Sequence, residues 1–214
     1  MQSRQYPSRT NHIRRNQLLL FALNFFKHPK MLGSLIPSSR YLTDRLLRRI
    51  DWKRARVIVE YGPGVGTFTA EVLQRMNPEA TLVVIETNED FVRFLQESLP
   101  DPRLHVVYGS AEDVGSILAR LGCGPADCVI SGIPFSTMPD DLRDRILGAT
   151  RAALRPEGQL LVYQFSTKVE PHLQRVFRHV HRDFEPLNVL PAQVFYCTRN
   201  GTPVDPARKA SRDH

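Results

Sequence analysis

The sequence predicts an α/β fold: a doubly wound, mostly parallel seven-stranded sheet with an antiparallel C-terminal strand pair and an N-terminal helical extension. Three observations carry that expectation. After Asp51, short apolar runs alternate with stretches of helical periodicity. Proline and glycine punctuate the joins, at Pro78, Pro100, Pro102, Pro125, Pro156 and Gly158. The last two apolar runs are separated by Pro191-Ala192, too short for a helical crossover, so they should pair antiparallel. At 214 residues, 42% hydrophobic and 24% charged, the chain is long enough for one sizeable core and short for two.

In chain order, Met1–Asn11 is polar and expected to be mobile. From His12 to Lys27 the pattern is helical and stops at Pro29. At about 100° per residue, Asn16, Gln17, Asn24 and Lys27 share a narrow strip, which Leu20 interrupts. Leu18, Leu19, Phe21, Ala22, Leu23, Phe25 and Phe26 cover most of the rest. A face this broad must cover protein, insert into a lipid interface, or do both. A loop, Gly33 to Ser39, ends in hydroxyl residues suited to capping a second helix. That helix has its stripe at Tyr41, Leu42, Leu46, Leu47 and Ile50. Strands are then predicted at Val57–Tyr61, Leu82–Glu86, Leu104–Tyr108, Cys128–Ser131, Gln159–Phe165, Phe184–Leu190 and Val194–Thr198. Helices are predicted around Phe68–Met76, Glu89–Ser98, Glu112–Leu121, Asp140–Leu154 and Glu170–Val180. Residues 1–50 therefore read as a basic amphipathic extension, 51–199 as one α/β domain, and 200–214 as a polar tail.

Charge is distributed unevenly. Arg4, Arg9, Arg14, Arg15, Lys27, Lys30 and Arg40 all precede Asp44, the first acidic residue, and from there on the chain is balanced. The whole +7 excess sits in the first fifth, where it suits a nucleic acid or an anionic membrane surface. The longest uninterrupted apolar run, Leu18 to Leu23, is six residues, far below the roughly 20 that a spanning helix needs. Cys123, Cys128 and Cys197 lack zinc-site spacing and read as free thiols in a reducing compartment. His179 and His181, read as helical, would point to different faces, and no metal is indicated.

In an open α/β sheet the ligand lies beyond the carboxyl ends of the strands, at the switch point after the first. Here that position holds Gly62, Gly64 and Gly66, where backbone can approach a ligand closely. The spacing is Gly-x-Gly-x-Gly, with Thr67 where the dinucleotide fingerprint would have its third glycine. Glu60 just before the loop is wrong for a pyrophosphate and suits an ammonium group. Glu86, at the end of the second strand, can accept hydrogen bonds from both hydroxyls of a ribose. An acid for an ammonium, glycines for close approach and an acid for a ribose describe S-adenosyl-L-methionine. After the third strand, Ser110, Ala111 and Glu112 (or the adjacent Asp113) are placed for the adenine. After the fourth, Ser131-Gly132-Ile133-Pro134-Phe135 falls where the transferred methyl would point, or is simply a strand-ending turn.

Residues 25–199 resemble the bacterial phospholipid N-methyltransferases, which convert phosphatidylethanolamine stepwise to phosphatidylcholine and are themselves similar to ribosomal RNA adenine dimethyltransferases, all class I (Rossmann-like) methyltransferases. The resemblance runs through Phe26-Lys27-His28-Pro29-Lys30, the loop from Gly33 to Ser39, Glu60 to Gly66, Ser131 to Phe135 and Pro191-Ala192-Gln193-Val194-Phe195. It implies a cofactor set that adds Ser38, Ser39, Tyr61, Thr87 and Ser131 to the residues above, with S-adenosyl-L-homocysteine as product. Base methyltransferases place an Asn or Asp before prolines and an aromatic, because an adenine amine is a poor nucleophile; here Ser131 stands in the corresponding place. An alkylamine, once deprotonated, needs only desolvation and alignment. Phe135, Tyr163 and Tyr41 are candidates for an aromatic wall around a growing quaternary ammonium. The expected enzyme is cytoplasmic and peripheral, docked on the anionic inner leaflet by its first fifty residues, which also form a lid. RNA adenine methylation is the alternative, and a non-catalytic cofactor-binding membrane module a further one.

Docking by this extension needs charge to attract and apolar burial to retain, the charges contributing roughly 1 kcal/mol each near the surface. Vesicle binding should rise with anionic lipid and fall as salt shortens the Debye length from about 10 Å. Replacing Arg14, Arg15, Lys27 and Lys30 with Gln should blunt that dependence. Replacing Phe25 and Phe26 with Ser should weaken co-sedimentation with every vesicle.

Overall fold

The computed structural model describes residues 39–188 and 190–200. The predicted helix at His12–Lys27, with its membrane-docking residues and Ser38, lies outside them, as does the tail beyond Asn200. The first described helix, α1 (Arg40–Leu47), is capped by Ser39, whose Oγ accepts the Leu42 N–H at 3.2 Å. The domain then alternates strand and helix: β1 (Val57–Tyr61), α2 (Thr67–Arg75), β2 (Thr81–Glu86), α3 (Glu89–Ser98), β3 (Leu104–Tyr108), a 3-10 turn at Ala111–Asp113 running into α4 (Val114–Arg120), and β4 (Ala126–Ser131). A second 3-10 turn (Phe135–Thr137), α5 (Asp140–Ala153), β5 (Leu154–Gln164), α6 (Glu170–Val176), β6 (His179–Glu185) and β7 (Ala192–Thr198) follow.

The seven strands form one sheet in the order β3-β2-β1-β4-β5-β7-β6. β1 to β5 are parallel, and β7 runs antiparallel between β5 and β6. Strand alternation divides the core in two. Ile58, Leu82, Val84, Ile130 and Leu161 pack under α1, α2 and α3. Val59, Val83, Val129, Leu160 and Val162 pack under α4, α5 and α6. The doubly wound parallel sheet and its antiparallel C-terminal pair are as expected.

Three boundaries differ from the sequence reading. β5 begins at Leu154, directly from α5, and a register shift opposite Ala126–Cys128 absorbs Arg155 to Gly158. Asp127 holds this region: its Oδ2 accepts the N–H groups of Arg56 (2.7 Å) and Val57 (2.8 Å), and its other oxygen faces Arg155. α6 stops at Val176, because Phe177 turns extended and buries its ring in the core. The chain from His179 to Glu185 then pairs with β7 instead of continuing the helix to Val180. Consequently His179 and His181 share a strand face rather than lying on different sides of a helix. As an edge strand facing solvent, β6 has few apolar residues with which to announce itself.

α1 is fastened to this edge by charge. Arg45 reaches buried Glu185 at 2.5 Å and Asp183 at 3.1 Å, and Arg48 reaches Asp183 at 2.6 Å. The Tyr196 hydroxyl donates to the Arg45 carbonyl at 2.6 Å. Above them the Ser39 N–H donates to Asn188 Oδ1 at 2.8 Å, so α1 starts against the β6–β7 loop.

Candidate active site

The loop after β1 turns on glycine. Gly62, Gly64 and Gly66 have φ of 61°, 55° and 79°, left-handed values that side chains resist. At Gly62 a Cβ would also come 2.7 Å from Ile133 Cγ2, and at Gly66 it would come 2.6 Å from Leu95 Cδ2. The turn therefore lies pressed between the β4 loop and α3. Gly62 N–H donates to the Ile85 carbonyl at 3.0 Å, and Gly132 N–H to the Tyr61 carbonyl at 3.2 Å. The carboxyl ends of β2, β1 and β4 are thus knitted into one rim.

Glu60 and Glu86 lie on the same face of the sheet as α2. Glu60 is 3% exposed, and its Oε2 accepts the Thr69 hydroxyl at 2.7 Å. Burial pushes its carboxyl up to about 7; the Thr69 bond opposes this, and nearby Glu86 adds to it. Glu86 is also shifted upward by burial, partly offset by the N–H groups of Asn88, Thr87 and Gly64 and by the Thr87 hydroxyl. The Asn88 contact measures 2.8 Å. These residues fit the cofactor that the sequence implies. The glycines carry no side chain into the turn, with Gly62 partly exposed there, and the charge that burial denies Glu60 is one that an ammonium would restore.

Other expected residues are distributed less evenly. Tyr61 supplies only backbone to the loop, because its side chain lies on the opposite face of the sheet, where its hydroxyl pairs with Thr150 Oγ1 of α5 at 3.1 Å. Ser131 pairs in register with Tyr61 and so faces the same way, opposite the two carboxyls. Its hydroxyl is fully buried without a hydrogen-bond partner. Phe135 is equally buried, a member of the core whose carbonyl accepts from buried Arg143 at 3.2 Å. Ser110 turns back to accept the Glu112 N–H at 3.3 Å; Ala111 is buried, and Glu112 pairs with Arg145 of α5 at 2.9 Å. Thr87 is exposed beside Glu86. Tyr41 is exposed on α1, with the Arg40 guanidinium 5.0 Å from its ring centroid.

Tyr163 belongs to the carboxyl face. Its ring stacks on Phe68 of α2, with centroids 5.0 Å apart, and its hydroxyl fills the space beside Gly132, where a Cβ would lie 2.4 Å away. Gln164, buried at the end of β5, donates to the Ile133 carbonyl at 2.8 Å and so holds the loop in place. Sequence reasoning passed over Phe68, Thr69, Gln164 and Arg143. Of these, Thr69 alone carried a signal: it lies one helical turn inside the glycine loop, a polar residue on the helix's inner face.

A family model described as "Methyltransferase small domain" matches residues 38–185. An ornithine lipid N-methyltransferase of Singulisphaera acidiphila is 34% identical over 180 residues, covering 83% of this chain and 94% of that relative. The chain belongs to the methyltransferase small-domain family and is a lipid N-methyltransferase in type. The methyl donor of this lipid N-methyltransferase is S-adenosyl-L-methionine, released as S-adenosyl-L-homocysteine. A more distant relative, ribosomal RNA small subunit methyltransferase A of Xanthomonas euvesicatoria, is 29% identical over 50% of this chain and 39% of its own length. Among solved structures, the 1,6-didemethyltoxoflavin-N1-methyltransferase of Burkholderia thailandensis shares the lipid N-methyltransferase's fold at a TM-score of 0.58 and 14% identity, covering 94% of each chain. No described helix is long and apolar enough to cross a membrane.

Because the folded protein holds the Glu60 proton more tightly than the unfolded chain, stability is greatest below the ordinary carboxyl range and is lost as pH rises through about 7. Stability of the cofactor-free protein against thermal unfolding should fall between the ordinary carboxyl range and about pH 7, by on the order of 3 kcal/mol from this group. In Glu60→Gln that part of the pH dependence should disappear.

Proposed function

We propose that this enzyme methylates the primary amine of a membrane lipid, phosphatidylethanolamine, stepwise toward phosphatidylcholine, working peripherally at the cytoplasmic surface of the inner membrane. The observation that carries the reading is the close approach of Tyr163 to Gly132. Ser131, which stands where a base methyltransferase carries its acceptor, offers only a buried hydroxyl facing away from the two carboxyls, and Gly132 beside it is closed over by the Tyr163 hydroxyl. Activation of an aromatic ring amine would need such an acceptor; an alkylamine does not. A second reading, an ornithine lipid as substrate, is favoured by the relative's name and presents the enzyme with the same chemistry, a primary alkylamine.

In this reading the ammonium group of the cofactor's methionine part meets Glu60, its ribose meets Glu86 and Thr87, and Gly62, Gly64 and Gly66 admit its chain. Ser110, Ala111 and Glu112 border the adenine, and Ser39, at the start of α1, stands on the pre-domain side; Ser38 joins the set on the resemblance alone. The bound cofactor supplies a sulfonium methyl. The remaining work falls to this chain: Thr69 holds Glu60 in position, Gln164 fixes the Ile133 carbonyl, and the stacked pair of Phe68 and Tyr163 sets an aromatic boundary. An aromatic face favours a cation that gains methyl groups and loses its hydrogen bonds to water. Tyr163 suits that role better than Phe135, whose ring is enclosed in the core, or Tyr41, which is exposed with Arg40 on α1.

Incubating the purified protein and labelled cofactor with vesicles containing phosphatidylethanolamine, with vesicles containing ornithine lipid, and with ribosomal RNA should yield methylated ethanolamine lipid and unmodified adenine by mass spectrometry. Product from ornithine lipid alone would transfer the proposal to the second reading, and methylated adenine without methylated lipid would refute both. In calorimetry, Glu86→Ala should weaken cofactor binding by roughly 1.5–3 kcal/mol, the loss of a charged hydrogen-bond partner. Unchanged affinity would remove Glu86 from the site.

A further inference from the structure

The exposed large hydrophobic side chains are unevenly placed. Among the described residues they are Tyr41, Tyr108, Phe165, Phe184, Leu187 and Leu190. Tyr108 ends β3, Phe165 follows β5, Phe184 lies one residue from the end of β6, and Leu187 and Leu190 belong to the β6–β7 loop. β6 runs parallel to β5, since each pairs antiparallel with β7. Its loop therefore rises from the same carboxyl edge as Gly62 and Glu86. Tyr41 joins them through Ser39, which hydrogen-bonds Asn188 of that loop. At the opposite edge the turns expose charge instead, from Lys53, Arg54, Glu79 and Glu157.

The β6–β7 loop is held rather than slack. Leu187 N–H donates to Glu185 Oε1 at 2.8 Å, and Asn188 Nδ2 donates to the Leu190 carbonyl at 2.9 Å. With its backbone tied inward, the loop presents Leu187, 62% exposed, and Leu190, 43% exposed, to the outside. Charge on this half of the rim is of both signs, with the acids taken up in ion pairs. Arg40 and Lys168 are exposed, whereas the acids Asp183, Glu185 and Glu170 are paired with Arg45, Arg48 and Arg182. Apolar side chains accompanied by exposed cations complement an anionic lipid surface, where aliphatic groups enter the headgroup layer and the cations meet phosphate.

We propose that the β6–β7 loop is a membrane contact in its own right, with Leu187 and Leu190 inserting into the anionic leaflet to set the mouth of the site against lipid headgroups. This rests on the reading of the substrate as a membrane lipid, and it gives that substrate a short route: the headgroup reaches the mouth while its acyl chains stay in the bilayer.

The test reads insertion locally and needs no turnover. In full-length protein carrying Trp52→Phe to remove the native indole, Leu187→Trp reports on the loop. Adding phosphatidylglycerol vesicles should shift its emission to the blue, and brominated acyl chains should quench it by half or more. Vesicles of phosphatidylcholine alone should give less of both. In the otherwise native chain, Leu187→Gln with Leu190→Gln should lower partitioning onto phosphatidylglycerol vesicles at least fivefold and leave cofactor affinity within twofold. An emission indifferent to vesicles overturns the proposal. So does emission already blue without vesicles, whether it depends on protein concentration, as for a second copy on the loop, or not, as for residues 1–38 covering it. These vesicles contain no amine lipid, so failure to methylate phosphatidylethanolamine would refute the substrate reading while leaving this result to stand or fall separately.

Discussion

The site depends on the reversal of strand order around β1. From β1 the chain passes to β2 and β3 on one side and later to β4 and β5 on the other, so no connection crosses above the β1 carboxyl end. A crevice is left there, and the first turn must leave the sheet without filling it. Left-handed glycines do this. Gly62 and Gly66 bend the backbone back against Ile133 and Leu95, closer than any side chain would allow. Because that turn also exchanges backbone hydrogen bonds with β2 and β4, its shape is set by three strands at once.

The same crevice accounts for the electrostatics. Two carboxyl groups on one face, both removed from water, cannot both hold full charge cheaply. Glu86 is relieved by backbone N–H groups from its own turn and from Gly64, whereas Glu60 has the Thr69 hydroxyl and is left near neutrality at about 7. A cationic ligand beside the pair would favour the ionised form of both carboxyls. Their incomplete satisfaction costs stability, as is common where binding requires it.

Next to β4, β5 supplies consecutive residues to opposite faces of the sheet. Tyr163 closes the space beside Gly132, and Gln164 secures the Ile133 carbonyl from the reverse side. One strand thus sets both the boundary of the loop and its rigidity. Around this centre, the ion pairs of Arg45 and Arg48 and the bond from Ser39 to Asn188 join the pre-domain helix to the β6–β7 loop. α1 and the β6–β7 edge are therefore mechanically one piece.

Much of this was legible in the sequence. Strand and helix alternation, the glycine turn, the acids Glu60 and Glu86 and the antiparallel final pair are local patterns, and each is dictated by periodicity, by the backbone freedom of glycine, or by a connection too short to cross over. What the sequence could not decide is which face a residue takes at the end of an element and what it meets there. Tyr61 and Ser131 belong to the expected motifs, yet their side chains lie opposite the carboxyls, because strand parity is counted through the register with neighbouring strands. β6 was expected at Phe184–Leu190 and lies instead at His179–Glu185, because an edge strand buries little and so carries little apolar signal. Phe68, Thr69, Tyr163 and Gln164 act through neighbours distant in sequence. Local composition determined the type of fold and the kind of cofactor; contacts between β1, α2, β4 and β5 decided the boundary of the site, since only packing brings residues a hundred positions apart within reach of one another.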